Sequence, residues 1–177
     1  ALEHSRVARK LLRRMGEPRL LAEHETNVGN LHYRRDHYRR ALACYDRARS
    51  CFESLGDEIA LAYMDQNSAS VLVDLDRADE ALKLYASARE VYARRGMRTL
   101  ALEVDLAVAY IAYLKGNYNE ALRGFHTAQE AGAGLLNPAD VALTDLDLAT
   151  VSLRMNALDD AADSADRAGA AFEALGM

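Results

Sequence analysis

The dipeptide Ala-Leu returns every forty residues, at Ala41-Leu42, Ala81-Leu82 and Ala121-Leu122, and no other feature of the chain limits its fold so tightly. Ala1-Leu2 and Ala161-Ala162 extend the series on either side. Four residues beyond each alanine stand Ser5, Tyr45, Tyr85, Phe125 and Ala165, and seven beyond it Ala8, Ala48, Ala88, Ala128 and Ala168. Upstream, Gly29, Ala69, Ala109 and Ala149 keep the same step, as do Leu31, Val71, Ile111 and Val151. Spacings of three, four and seven hold residues on one helix face, whereas a strand needs strict alternation. Each period therefore contains two different patterned helices.

Breakers fall between them. Gly16-Glu17-Pro18, Leu55-Gly56-Asp57, Arg95-Gly96-Met97 and Leu136-Asn137-Pro138 separate the periods. Arg35-Asp36-His37, Leu75-Asp76-Arg77, Lys115-Gly116-Asn117 and Met155-Asn156-Ala157 divide them internally. Glycine serves as a left-handed helix stop, and Asn137 before Pro138 reads as an N-cap followed by proline at the first helical position. About nine helices of roughly 15 to 18 residues follow, the first unpaired over residues 1–15. Small residues at the marked positions let helix axes approach closely. A lone helix pair leaves one apolar face uncovered, so each pair must stack on the next. The expected fold is an all-α solenoid of stacked antiparallel helix pairs, a single domain over residues 1–177. Its parts are 1–16, the second helix of a truncated repeat, and full repeats over 17–56, 57–96, 97–136 and 137–177. The interrupted pattern at both ends, and a start without Met, predict a piece excised from a longer array.

Composition narrows the chemistry. The 177 residues include two Pro and ten Gly. Mean hydropathy is −0.23, and no apolar run approaches the roughly 18 residues of a membrane span. Cys44 and Cys51 are seven apart on one expected helix, about 10.5 Å, too far to bridge. Two reduced thiols fit a reducing compartment, and a cytoplasmic location is expected. His32 and His37, five apart, should face different sides of a helix. His4, His24 and His126 lack a carboxylate at ligand spacing, so neither a metal nor a cofactor is expected. His32 sits where the repeat places an aromatic and reads as a packing residue. Gly132 and Gly134 form no dinucleotide fingerprint and should fray a helix end. With no nucleophile, base and oxyanion site clustered, the chain is not expected to be an enzyme.

Charge is uneven: residues 1–56 carry 12 basic and 7 acidic side chains, and the remainder 10 and 20. The basic set, which includes Arg6, Arg9, Lys10, Arg13, Arg14, Arg34, Arg35, Arg39 and Arg40, comes without a nucleic-acid docking motif and reads as a solvated face. Neither nucleic acid nor a membrane is an expected partner. A chain polarised in this way favours head-to-tail contacts, and exposed apolar ends add to them.

The stretch Asn27-Val28-Gly29-Asn30-Leu31-His32-Tyr33, followed by Tyr38-Arg39-Arg40-Ala41-Leu42 and Tyr45-Asp46-Arg47-Ala48, resembles the tetratricopeptide repeat. The likeness extends over the whole chain, although the motif's early tryptophan and closing proline are missing. The period of forty is longer than the usual 34. It is similar to the variety found in bacterial signalling proteins, proteins with a caspase-like CHAT domain, and kinesin light chains. The resemblance implies a right-handed solenoid whose first helices line a concave groove for a peptide or protein segment. Mapped onto this chain, the groove takes Asn27, Asn30, Tyr33 and Arg34 from the first full repeat. Tyr63, Gln66, Asn67, Ser70 and Asp74 come from the second, and Tyr110 and Tyr113 from the third. Leu143, Leu146, Asp147 and Leu153 follow from the fourth. Asn27 and Asn67, one period apart, would present stacked carboxamides able to donate to and accept from an extended backbone. Tyr63, Tyr110 and Tyr113 would be aromatic anchors. The two-carboxylate clamp of chaperone-binding members is not expected, because its basic residues are replaced by Thr26, Glu103 and Ala107. The expected role is a non-catalytic binding module, the sensor or scaffold part of a larger bacterial signalling protein. The alternative is a spacer or self-association arm regulating an attached effector, a CHAT-type protease or a DNA-binding domain.

Overall fold

A computed structural model describes residues 2–176, with side chains from Ser5 to Gly176. Among the described residues it contains nine α-helices and no strand. These are α1 (Leu2–Met15), α2 (Pro18–Tyr33), α3 (Tyr38–Leu55), α4 (Glu58–Asp74), α5 (Ala78–Arg94), α6 (Arg98–Leu114), α7 (Tyr118–Ala131), α8 (Pro138–Arg154) and α9 (Leu158–Ala174). The turns keep the period. Between repeats, Gly16, Gly56 and Gly96 adopt positive φ; within repeats, Asp36, Asp76, Gly116 and Asn156 do so. Asp and Asn tolerate the left-handed region that other side chains avoid. Capping sharpens two starts: Asp57 accepts from the Ala60 N–H at 3.1 Å, and Asn137 from the Asp140 N–H at 3.0 Å.

Two helices are shorter than the 15 to 18 residues the pattern predicts: α1 and α7 have 14 each. The cause in α7 is local. Gly132 and Gly134 weaken its last turn, and the chain folds back so that the Leu135 N–H reaches the Gly132 carbonyl at 2.8 Å.

The chain divides into two compact units, Ala1–Arg95 and Gly96–Met177. In the first, α1 packs on α2, α2 pairs with α3, α3 meets α4 and α4 pairs with α5. Its core joins Tyr45, Phe52, Met64 and Val71 to Ala22, Ala41 and Ala48. In the second, α6 pairs with α7 and α8 with α9, around Ala109, Ala112, Ala121, Phe125, Leu148 and Val151. The periodic alanines Ala41, Ala48, Ala81, Ala88, Ala121 and Ala128 are all buried, and Tyr45, Tyr85 and Phe125 fill the space beside them. This is a tetratricopeptide-like solenoid fold.

Carboxylates also keep the step, at Glu25, Asp65, Asp105 and Asp145, and three of the four lie inside. Glu25, Asp65 and Asp145 are buried. Glu25 takes Arg9 from α1 and Arg47 from α3, the latter at 2.9 Å. Asp65 pairs with Arg49 and accepts from the Ser87 hydroxyl at 2.9 Å. Asp145 accepts from Gln129 at 3.0 Å and from Arg167 at 3.0 Å. Each buried acid thus takes one donor sixteen residues before it and one twenty-two after it, clamping one first helix between two second helices. Buried charges are tolerated only when paired in this way.

Candidate functional site

The first helices carry the expected groove residues, and the structure treats them unequally. On α2, Asn27 is exposed. One period on, Asn67 is half-buried, and its Nδ2 is buried without a hydrogen-bond partner among the described residues. The two carboxamides are therefore not equivalent. Asn27 and Tyr63 share a pocket of about 510 Å³ between α2 and α4, floored by Phe52, Ile59 and Met64 and flanked by Thr26. Tyr63 is 41% exposed there.

Other candidates are engaged by the fold. The Tyr45 hydroxyl donates to Asn30 Oδ1 at 2.8 Å. At the same register one repeat later, the Ser70 and Tyr85 hydroxyls are 2.9 Å apart. Phe125 has no hydroxyl to continue this series. Gln66 Oε1 accepts from Tyr92 at 2.9 Å. Asp74 faces Tyr33, and burial followed by that carboxylate pushes the Tyr33 hydroxyl pKa well up. The Tyr33 ring lies 6.1 Å from Tyr38. Arg34 caps α2 and is exposed.

In the second unit Tyr110 is 40% exposed, and the Tyr113 ring is tilted against it at 6.0 Å and against Tyr118 at 6.0 Å. Tyr113 faces Arg154, which stands to it as Asp74 stands to Tyr33. Leu114, Leu143, Leu146 and Leu153 are exposed on α6 and α8. Among them, burial lifts the half-buried Asp147 to a pKa of about 6.

His32 is buried, as a packing residue should be. The expectation that His32 and His37 face apart is corrected: α2 ends at Tyr33, His37 caps α3, and the turn brings the rings to 5.8 Å. Cys44 is buried, its thiol pKa raised by desolvation, and Cys51 is half-buried. No group of three or more His, Cys, Asp or Glu able to hold a metal occurs among the described residues. His4 lies outside the described side chains. No helix among the described residues is long and apolar enough to cross a membrane. Sequence reasoning missed the paired carboxylates and the apolar floor of the α2–α4 pocket. The carboxylates had left a signal in their step of forty.

Fold and face together define a helical-repeat protein of the tetratricopeptide-like class. The soluble NSF attachment protein (SNAP) family profile matches residues 31–134, and the chain belongs to that family. It is 31% identical over 103 residues to a Neurospora crassa protein described as "Probable vesicular-fusion protein sec17 homolog", covering 58% of this chain and 35% of that protein. Aspartyl phosphate phosphatase F from Bacillus subtilis has a similar fold: TM-score 0.89 at 12% identity, over 99% of this chain and 46% of the other. A Rap protein complexed with competence and sporulation factor gives TM-score 0.83 at 18% identity, over 97% and 49%. The chain spans about a third of the Neurospora protein's length and about half of each solved chain.

Proposed function

We propose that this chain is a non-catalytic interaction module that takes an extended peptide or protein segment on the face of its first helices. The pocket between α2 and α4 carries the reading. An exposed carboxamide that can both donate and accept stands beside a projecting tyrosine over an apolar floor. That combination can hold a backbone and seat one side chain. The family's description as attachment proteins and the factor bound in the Rap complex support the same reading. Asn30, Ser70 and Gln66 then act at one remove, as supports held by Tyr45, Tyr85 and Tyr92. The proposal includes a role as sensor or scaffold part of a larger bacterial signalling protein.

A peptide selected from a random array supplies the probe for a polarisation titration. Tyr63→Ala should weaken its binding about tenfold or more, and Asn27→Ala should weaken it less. Unchanged affinity in both variants would refute the assignment.

One observation favours a second reading. Val7, Leu11 and Met15 form an exposed stripe along α1, at 59%, 51% and 66% exposure. Such a stripe suits a self-association arm regulating an attached effector. Sedimentation showing a monomer at high concentration would remove it.

A further inference from the structure

A second pocket, of about 340 Å³, lies among α1, α2 and α3, and Arg6, Arg9, His32, Arg40 and Arg47 line it. None of its residues belongs to the Asn27–Tyr63 pocket. Its charge is unbalanced. The one buried carboxylate, Glu25, answers Arg9 and Arg47, while Arg6 and Arg40 are exposed and have no ion-pair partner among the described residues. His32 is 8% exposed, and its ring makes no hydrogen bond among the described residues. Burial, and then the charges of His37, Arg40, Arg35 and Arg47, hold its pKa below the ordinary value.

The repeats supply an internal control. One period on, Arg9 persists as Arg49, but Arg6, His32, Arg40 and Arg47 become Asp46, Leu72, Glu80 and Ser87. Two periods on they are Ala86, Ala112, Glu120 and Thr127. Three periods on, Arg9 becomes Gln129, Arg6 becomes His126 and Arg47 returns as Arg167, whereas His32 and Arg40 become Ser152 and Asp160; no later repeat carries all four of Arg6, His32, Arg40 and Arg47 as basic groups. Guanidinium groups in such density, with an imidazole able to donate, suit a phosphate oxyanion, which accepts forked hydrogen bonds from arginine. The pocket also falls at the small end of ligand-site volumes.

We infer that this pocket binds the phosphate group of a small phosphate monoester through Arg6, Arg40, Arg47 and His32. The full chain should be titrated with inorganic phosphate and glycerol phosphate, with the His32 ring followed by NMR. Saturable binding is expected, with a rise in the His32 titration midpoint. Arg6→Asp and Arg40→Glu install the residues found one repeat later, so circular dichroism should be unchanged while affinity falls about tenfold or more. No saturation by 10 mM phosphate, on the order of the weakest useful affinity, would overturn the inference. So would unchanged affinity in both variants, or a His32 midpoint that ignores the ligand. Vesicles containing a phosphoinositide form the remaining arm: binding to them without binding to soluble phosphate would assign the basic groups to a membrane surface instead.

Discussion

Asp147 occupies the register of Asn27 and Asn67, yet it is a carboxyl group held half-buried among leucines. Its pKa rises from an ordinary 3.8 in the unfolded chain to about 6 when folded. The folded state therefore holds this proton more tightly. Stability must fall as pH rises from about 4 to about 6, with the full penalty present above that range. Asp147→Asn, which copies the first two full repeats, should gain about 1 kcal/mol at pH 8 after allowance for solvent screening. It should gain nothing at pH 3.5, on the order of the unperturbed carboxyl pKa; urea midpoints at the two pH values give the comparison. Glu25 presents the opposite case. Glu25→Ala strands Arg9 and Arg47 and should cost about 3 kcal/mol in the same assay. At this scale the sequence was only half legible. A period of forty identifies which residues share a register, but not whether a side chain at that register meets water or a tyrosine from the second helix. Asn30 and Asn27 look alike in the string and differ because Tyr45 reaches one of them.

Among the helices, glycine separates packing from propensity. Gly29 aligns with Ala69, Ala109 and Ala149, so the repeat pattern alone would favour Gly29→Ala. A Cβ there would lie 2.5 Å from Tyr45 Cε1 and 3.2 Å from Cys44 Cβ, and the Tyr45 ring is buried and tied to Asn30. The substitution should destabilise by about 1 to 3 kcal/mol. Gly169, in the exposed interior of α9, has nothing within 4 Å of such a Cβ. Gly169→Ala should stabilise by about 1 kcal/mol. Thermal melts of the two variants should thus move in opposite directions. Helix existence was readable because stacked hairpins impose both caps and apolar spacing. The early end of α7 at Ala131 was marked by Gly132 and Gly134 rather than by the periodicity.

For the molecule as a whole, contacts gather into two units that meet in sequence at Arg95 and Gly96. Repeat proteins derive stability from neighbouring elements, so fragments 1–95 and 96–177 should each fold. Circular dichroism of the separate fragments should show helix content and cooperative melting; a coil spectrum for either would contradict this. The fold class could be read entirely from recurring apolar positions, since every packed layer repeats the same demand. The α2–α4 pocket was read only in part: Asn27 and Tyr63 were marked by the repeat, while its apolar floor draws on residues outside the groove register. The paired carboxylates carry a final consequence for how such a chain can change length. Donors sixteen residues before and twenty-two after each acid fit, with the acid between them, within a single forty-residue cassette cut just ahead of the first donor. A tandem duplication of that cassette would restore every clamp, and an in-frame excision would leave no orphaned charge. Gene rearrangement in whole cassettes is thus nearly silent to the interior, whereas an insertion of even four residues within one would break a clamp at once.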